Sequence, residues 1–221
     1  MKIAVIGTGH IGGTLGQRWQ TAGHEVAYGS RAGSGTGPGG APAMAAGEAI
    51  TGADVVLLAV PGAAVAEVVA AYGAALAGKV VIDAVNRMGE PEVNSRAALA
   101  AAAPQARYVR AFNTLGWENF ADPPPGAALF FAADLPARPA AEELITAVGL
   151  EPVFAGDADD RDGRCPAAVV VHTGQAQRRP PPDRAAHHHV AHPIPEPVRR
   201  DQPVEDDLTV AEPDVAAAGQ S

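Results

Sequence analysis

The first twelve residues constrain this chain more than any others. Lys2-Ile-Ala-Val-Ile6 is a short, almost unbroken apolar run that stops at Gly7-Thr8-Gly9-His10-Ile11-Gly12, and a stretch with helical spacing follows at once. Such a run reads as a strand buried on both faces of a sheet, because a strand wetted on one side alternates apolar with polar residues. The three glycines have separate tasks. Gly7 permits a tight turn, Gly9 lets another group approach the backbone, and Gly12 lets the helix pack close to the strand. The start of that helix offers unpaired N–H groups and the positive end of its dipole, an arrangement suited to phosphate. GxGxxG alone is a weak signal, since glycine is common. A strand before it, a helix after it and a second strand near Val26 supply the context that a dinucleotide pyrophosphate needs. Gly7, Thr8, Gly9, His10, Ile11 and Gly12 are therefore candidate contacts. At His10 the backbone N–H is the expected contributor, ahead of a general-base role for the imidazole.

The same alternation continues. Short apolar, β-branched runs are predicted as strands at 2–6, 25–28, 55–60, 80–84, 108–113, 128–132 and 152–154, with helices at 11–22, 63–75, 93–102 and 139–148. Strand and helix alternating at this spacing predict an α/β fold of the Rossmann type, a doubly wound parallel sheet. Residues 32–42 are dominated by Gly, Ser, Thr and Pro, and are predicted to be a mobile loop within the domain.

The region beyond Arg161 differs. It carries five of the seven histidines and nine of the 20 prolines but no aromatic residue other than histidine. So little apolar surface does not offset chain entropy, which predicts one folded domain over 1–156 and a disordered, low-complexity tail over 157–221. His187-His-His-Val-Ala-His192 would take up nickel or zinc adventitiously, but no scaffold for a physiological site is evident and no metal is assigned. Cys165, the single cysteine, excludes an internal disulfide framework and fits a reducing compartment. A net charge of −9 argues against non-specific binding to nucleic acid or anionic membranes. The chain lacks the apolar run of about 18–20 residues that a membrane span requires, and no basic lead-in marks a signal peptide. The expected location is cytoplasmic.

Cofactor selectivity is legible about twenty residues beyond the glycine loop. An NAD-selective site ends its second strand on Asp or Glu, which binds the ribose hydroxyls. This chain has Tyr28-Gly29-Ser30-Arg31 there. Arg31 pairs well with a 2′-phosphate, and Ser30 and Thr8 are suited to hydrogen-bond it, so NADP(H) is the expected cofactor.

These features, with Arg110-Ala-Phe-Asn-Thr-Leu-Gly-Trp-Glu-Asn119 and Val148-Gly-Leu-Glu-Pro-Val-Phe-Ala-Gly156, make residues 1–156 similar to the NADPH-dependent deazaflavin (F-420) reductase family. The resemblance implies hydride transfer between NADP(H) and F-420 as co-substrate, in which the cofactors carry the reactive chemistry and no catalytic side chain is needed. It also implies that Val60 and Pro61 flank the nicotinamide ribose, that Ala84, Val85 and Asn86 end the next strand, and that Asn113 and Thr114 end the one after it. The carboxyl ends of strands are where open α/β sheets bind ligands, which places the same residues at the site. Each has a plainer reading: Pro61 as a strand stop, Asn113 as a turn former, Trp117 as core rather than a stacking ring. Asp83 is not expected to act as an acid.

Family members continue into a C-terminal helical segment that helps form a dimer and closes the deazaflavin pocket. Here the sequence gives Asp157-Ala-Asp-Asp-Arg-Asp-Gly-Arg and then the Pro/Arg/His-rich tail. Either this member lost the segment or the tail reflects a change of reading frame, an idea that 14 Arg against two Lys in a GC-rich style favours. A homodimer, if formed, is expected to be weakened. The alternative function is a non-catalytic NADP-binding module that lacks an acceptor pocket.

Overall fold

The computed structural model describes residues 1–30, 33–86 and 94–158. Arg31, Cys165 and the His187–His192 cluster lie outside these residues, as do the expected helix start at Val93 and all but the first two residues of the expected tail. Among the described residues, nine strands form one sheet in the order β3-β4-β2-β1-β5-β6-β7-β8-β9. The central strands are β1 (Lys2–Ile6), β2 (Glu25–Ser30), β5 (Val55–Leu58), β6 (Val80–Asp83) and β7 (Arg107–Arg110), all parallel to their neighbours in this group. The chain steps from β1 to β2 on one side, then returns to place β5 on the other side of β1. That reversal opens a crevice at the carboxyl ends of β1 and β5.

The apolar runs are unbroken because they feed two layers at once. In β1, Ile3 and Val5 face one core cluster while Ala4 and Ile6 face the other. In β5, Val55 and Leu57 divide in the same way from Val56 and Leu58. One layer holds α1 (His10–Thr21) and α6 (Arg138–Val148), through Leu15, Trp19, Leu144 and Ile145. The Trp19 indole N–H reaches the Leu144 carbonyl at 3.0 Å and ties these two helices. The other layer holds α2 (Ala46–Thr51), α3 (Gly62–Leu76) and α4 (Arg96–Ala102), through Ile50, Val65, Val69 and Leu99.

The sheet is parallel in the main but departs from the expectation at both edges. β8 (Ala128–Ala133) runs antiparallel to β7, and β9 (Glu151–Asp157) is parallel to β8. A parallel return needs a crossover of about a dozen residues, usually a helix. Between β7 and β8 the chain has only the short α5 (Glu118–Ala121), and Pro123-Pro124-Pro125 then prevents helix. Residues 33–42, expected to be a mobile loop, instead make β3 (Ser34–Thr36) antiparallel to β4 (Pro42–Ala45), which pairs in parallel with β2. Gly39 and Gly40, at φ 65° and 79°, make the turn between them.

Strand ends are shorter than predicted at the site, for local reasons. β6 stops at Asp83 because its carboxylate accepts the Val85 N–H at 3.0 Å and curls the chain. β7 stops at Arg110, and Phe112 follows at φ 63°, the one non-glycine residue with positive φ among those described. That turn sends the Phe112 ring into the core, edge-on to Trp19 at 5.8 Å and to Phe120 at 5.5 Å.

Candidate functional site

Two of the glycine loop's three glycines are held by contacts that exclude any side chain. Gly7 has φ 111°, and a Cβ there would overlap the Ala59 backbone, so the loops after β1 and β5 touch. A Cβ on Gly12 would overlap the Gly7 carbonyl, the close helix–strand approach expected of that position. Gly9 differs: nothing lies within 4 Å of where its Cβ would be. It is the N-cap of α1, its carbonyl accepts the Gly13 N–H at 2.8 Å, and no acidic residue occupies the first turn. Helix geometry leaves the N–H groups of His10, Ile11 and Gly12 without intrahelical acceptors. With Thr8, Gly9 and His10 exposed, the loop is an open cradle with the positive end of a twelve-residue helix behind it.

Ser30 ends β2 beside this cradle, since the pairing of Ile6 with Gly29 brings Gly7 and Ser30 level across the two strands. Its Oγ is buried and has no hydrogen-bond partner. A buried hydroxyl without a partner costs free energy, and an anion's oxygens in front of it would remove that cost. Tyr28, two residues earlier, fills the space left by Gly16 and Gly37, where a Cβ on either glycine would overlap its ring or hydroxyl. Burial pushes its phenol up to about 12.

Further along the crevice lies a cavity of about 220 Å³, lined by Ile11, Ala59, Val60, Ala84, Val85, Asn86, Phe112, Asn113 and Leu115. It brings together Ile11, Val60, Ala84, Asn86 and Asn113, which the sequence singled out separately. Pro61 is not among its walls; it is the exposed N-cap of α3. Thr114 turns to a smaller cleft with Arg110 and Phe130. Trp117 is 36% exposed and stacks on the His10 imidazole, centroids 5.0 Å apart and planes at 21°. It is therefore a surface ring beside the glycine loop and not a core residue. A larger cavity, about 550 Å³, opens between α4 and the Asp134–Pro136 turn at the amino end of β7. It lies away from the crevice and shares no residue with it.

Beneath the smaller cavity is a buried polar cluster that the sequence reading did not identify as a site feature. Asp83 is 0% exposed and Arg110 4%, and they pair at 3.2 Å. Asp83 also accepts the Ser95 N–H at 2.6 Å and the Tyr108 hydroxyl at 2.8 Å. Arg110 donates to the Val85 carbonyl at 2.5 Å and to Asn86 Oδ1 at 3.3 Å, and the Asn86 amide donates to the Asn113 carbonyl at 2.6 Å. A signal was available: a charge inside the apolar run 108–113 must find a partner if the run is buried. Among the described residues, no group of His, Cys, Asp or Glu is placed to hold a metal. None of their helices is long and apolar enough to cross a membrane.

Residues 2–87 match the model of the family described as NADP oxidoreductase, coenzyme F420-dependent. No curated protein sequence matches the chain. Among solved structures, a candidate F420-dependent NADP reductase from Arthrobacter sp. FB24 is 26% identical, covering 71% of this chain and 85% of its own, with a TM-score of 0.61. A hypothetical protein of Sinorhizobium meliloti, SMa0349, is 28% identical with the same coverages and the same TM-score. The reductive aminase of Aspergillus terreus, solved with NADPH and ethyl-5-oxohexanoate, is 23% identical, covers 71% of this chain and 55% of its own, and has a TM-score of 0.57. At that identity the likeness is one of fold.

Proposed function

We propose that this chain, whose residues 2–87 match the model of the F420-dependent NADP oxidoreductase family, binds NADP(H) along the crevice and moves a hydride between its nicotinamide and a deazaflavin such as F-420. The observation that carries the NADP(H) reading is Ser30 Oγ, buried without a partner at the end of β2, level with the glycine turn. A 2′-phosphate there accepts from that hydroxyl, and Arg31, the next residue in sequence, supplies the opposite charge. The open space at Gly9 and the N–H groups of α1 receive the pyrophosphate. The cavity walled by Val60, Ala84, Asn86 and Asn113 receives the nicotinamide ring. With both partners bound, NADPH supplies a hydride to the deazaflavin ring and a solvent proton completes the reduced acceptor, leaving NADP+. The protein's part is to orient the two rings and exclude water, which needs apolar walls and fixed amides rather than an acid or base.

A second reading rests on the cavity's size. At about 220 Å³ it is smaller than the roughly 300–1,000 Å³ of ordinary ligand pockets and has room for one ring. An NADP(H)-binding module without an acceptor pocket has the same cradle and the same cavity. Titration with NADPH, followed by addition of F-420 and measurement of its absorbance, separates the two. Turnover is the expected outcome. Saturable NADPH binding without turnover selects the module, and no NADPH binding overturns both.

A further inference from the structure

We propose that the buried Asp83–Arg110 pair keeps the cavity from favouring either oxidation state of the nicotinamide, each charge offsetting the field of the other. This rests on the NADP(H) reading above and adds a role for two residues that do not themselves line the cavity. The segment Ala84-Val85-Asn86 is its wall on one side and the pair's partner on the other. Arg110 holds the carbonyls of Asp83 and Val85 and Asn86 Oδ1, while Asp83 Oδ1 holds the Val85 N–H. The pair thus stands one residue behind the ring's seat, in a place nearly sealed from water: Asp83 is 0% exposed and Arg110 4%.

Charge in such a place is weakly screened and acts at a distance. The nicotinamide ring carries a positive charge in NADP+ and none in NADPH, so a charge in the wall is felt by the oxidised form alone. The guanidinium by itself would repel NADP+. The carboxylate 3.2 Å away cancels most of that field, and the wall is left nearly neutral toward both forms. Stability is a weak reason for the pair, because two apolar side chains would pack there at no desolvation cost. A balanced field behind a ring that changes charge gives it a specific use. Positioning follows from the same contacts, since Arg110 fixes the Asn86 amide, which in turn fixes the Asn113 carbonyl.

The test is the ratio of dissociation constants for NADP+ and NADPH, titrated separately on wild-type protein, Asp83→Asn, Arg110→Gln and Arg110→Lys. Asp83→Asn keeps an acceptor for the Val85 N–H and leaves Arg110 its carbonyl partners. It should weaken NADP+ relative to NADPH by about threefold or more. Arg110→Gln leaves the carboxylate uncompensated and should shift the ratio the opposite way by a similar factor. Arg110→Lys keeps the charge and loses the fork to Asn86, so both affinities should fall while the ratio stays within about twofold of wild type. Thermal melting identifies any variant that fails to fold, and either charge-removing variant alone fixes the sign. The double variant Asp83→Asn/Arg110→Gln carries no lone buried charge and should restore the wild-type ratio. Equal weakening of both forms in the single variants, or a double variant shifted as far as either, overturns the proposal. Wild-type protein that binds neither form overturns the function reading instead.

Discussion

The two ends of the crevice are built from different materials. At the β1–α1 end nearly everything is backbone: a turn at Gly7, open space at Gly9, unpaired helix N–H groups, and one side chain, Ser30, waiting at the rim. At the β6–β7 end the wall is set by side chains, with Asp83, Arg110, Tyr108 and Asn86 linked behind a small cavity. Backbone binds phosphate without needing to know what carries it, which suits the part of a cofactor that does not react. Side-chain charge and amides can be tuned, which suits the part that does. The first arrangement tolerates almost no added atom where the backbones touch, while the second tolerates added atoms but not an unbalanced charge.

Substitutions within the glycine loop should break this comparison most strongly. Gly7→Ala forces a side chain into φ 111° and against the Ala59 backbone, with an expected stability loss of about 2–4 kcal/mol by thermal unfolding. Gly9→Glu, two residues on, meets open space; its melting temperature should stay near wild type while NADPH affinity falls by more than about 100-fold, because the carboxylate faces the phosphates. If Gly9→Glu unfolded as readily as Gly7→Ala, the open cradle would be an incorrect description.

Ser30→Ala gives a smaller and more selective effect. The hydroxyl has no protein partner to lose, so stability should be unchanged or slightly higher. NADPH affinity should drop about tenfold and NADH affinity should not move, which parallel titrations would show. Equal losses for both cofactors would place the 2′-phosphate elsewhere.

The smallest expected effect at neutral pH comes from Tyr28, whose ring backs the cradle between Gly16 and Gly37. Its phenol is raised to about 12 by burial, against about 10 in the unfolded chain. The unfolded state therefore releases this proton first as pH rises. The contribution to stability is whole below about pH 10 and is lost between about 10 and 12. Tyr28→Phe should flatten that part of the stability curve and leave neutral-pH NADPH binding near wild type. An unchanged alkaline limb in the variant would assign the loss to other groups.

The turn at Gly7 and the close helix packing at Gly12 were legible in the sequence because they follow from local spacing, each position working by lacking a side chain. The place of Ser30 at the end of β2 was legible from its offset from the glycine loop, though not the burial of its hydroxyl. Val60, Ala84, Asn86 and Asn113 were found as strand ends, and the cavity gathers them. Pro61 and Thr114 were chosen on the same ground but do not line it: Pro61 caps α3 and Thr114 lines the smaller cleft. The stacking of Trp117 on His10 joins the glycine loop to the segment after β7, and no local pattern announces such a contact.

By itself, then, the sequence determined the alternation of buried strands and helices and the glycine turn that joins β1 to α1. These follow from periodicity and from glycine, which act over a few residues. The tertiary structure decided the antiparallel return of β8, where Pro123-Pro124-Pro125 leaves no helix to carry the chain back, and the ribbon made from a glycine-rich stretch. It also decided that Arg110 meets Asp83. A buried charge requires a partner, but which one it finds depends on the strand that lies beside it, and that is fixed only when the sheet has formed.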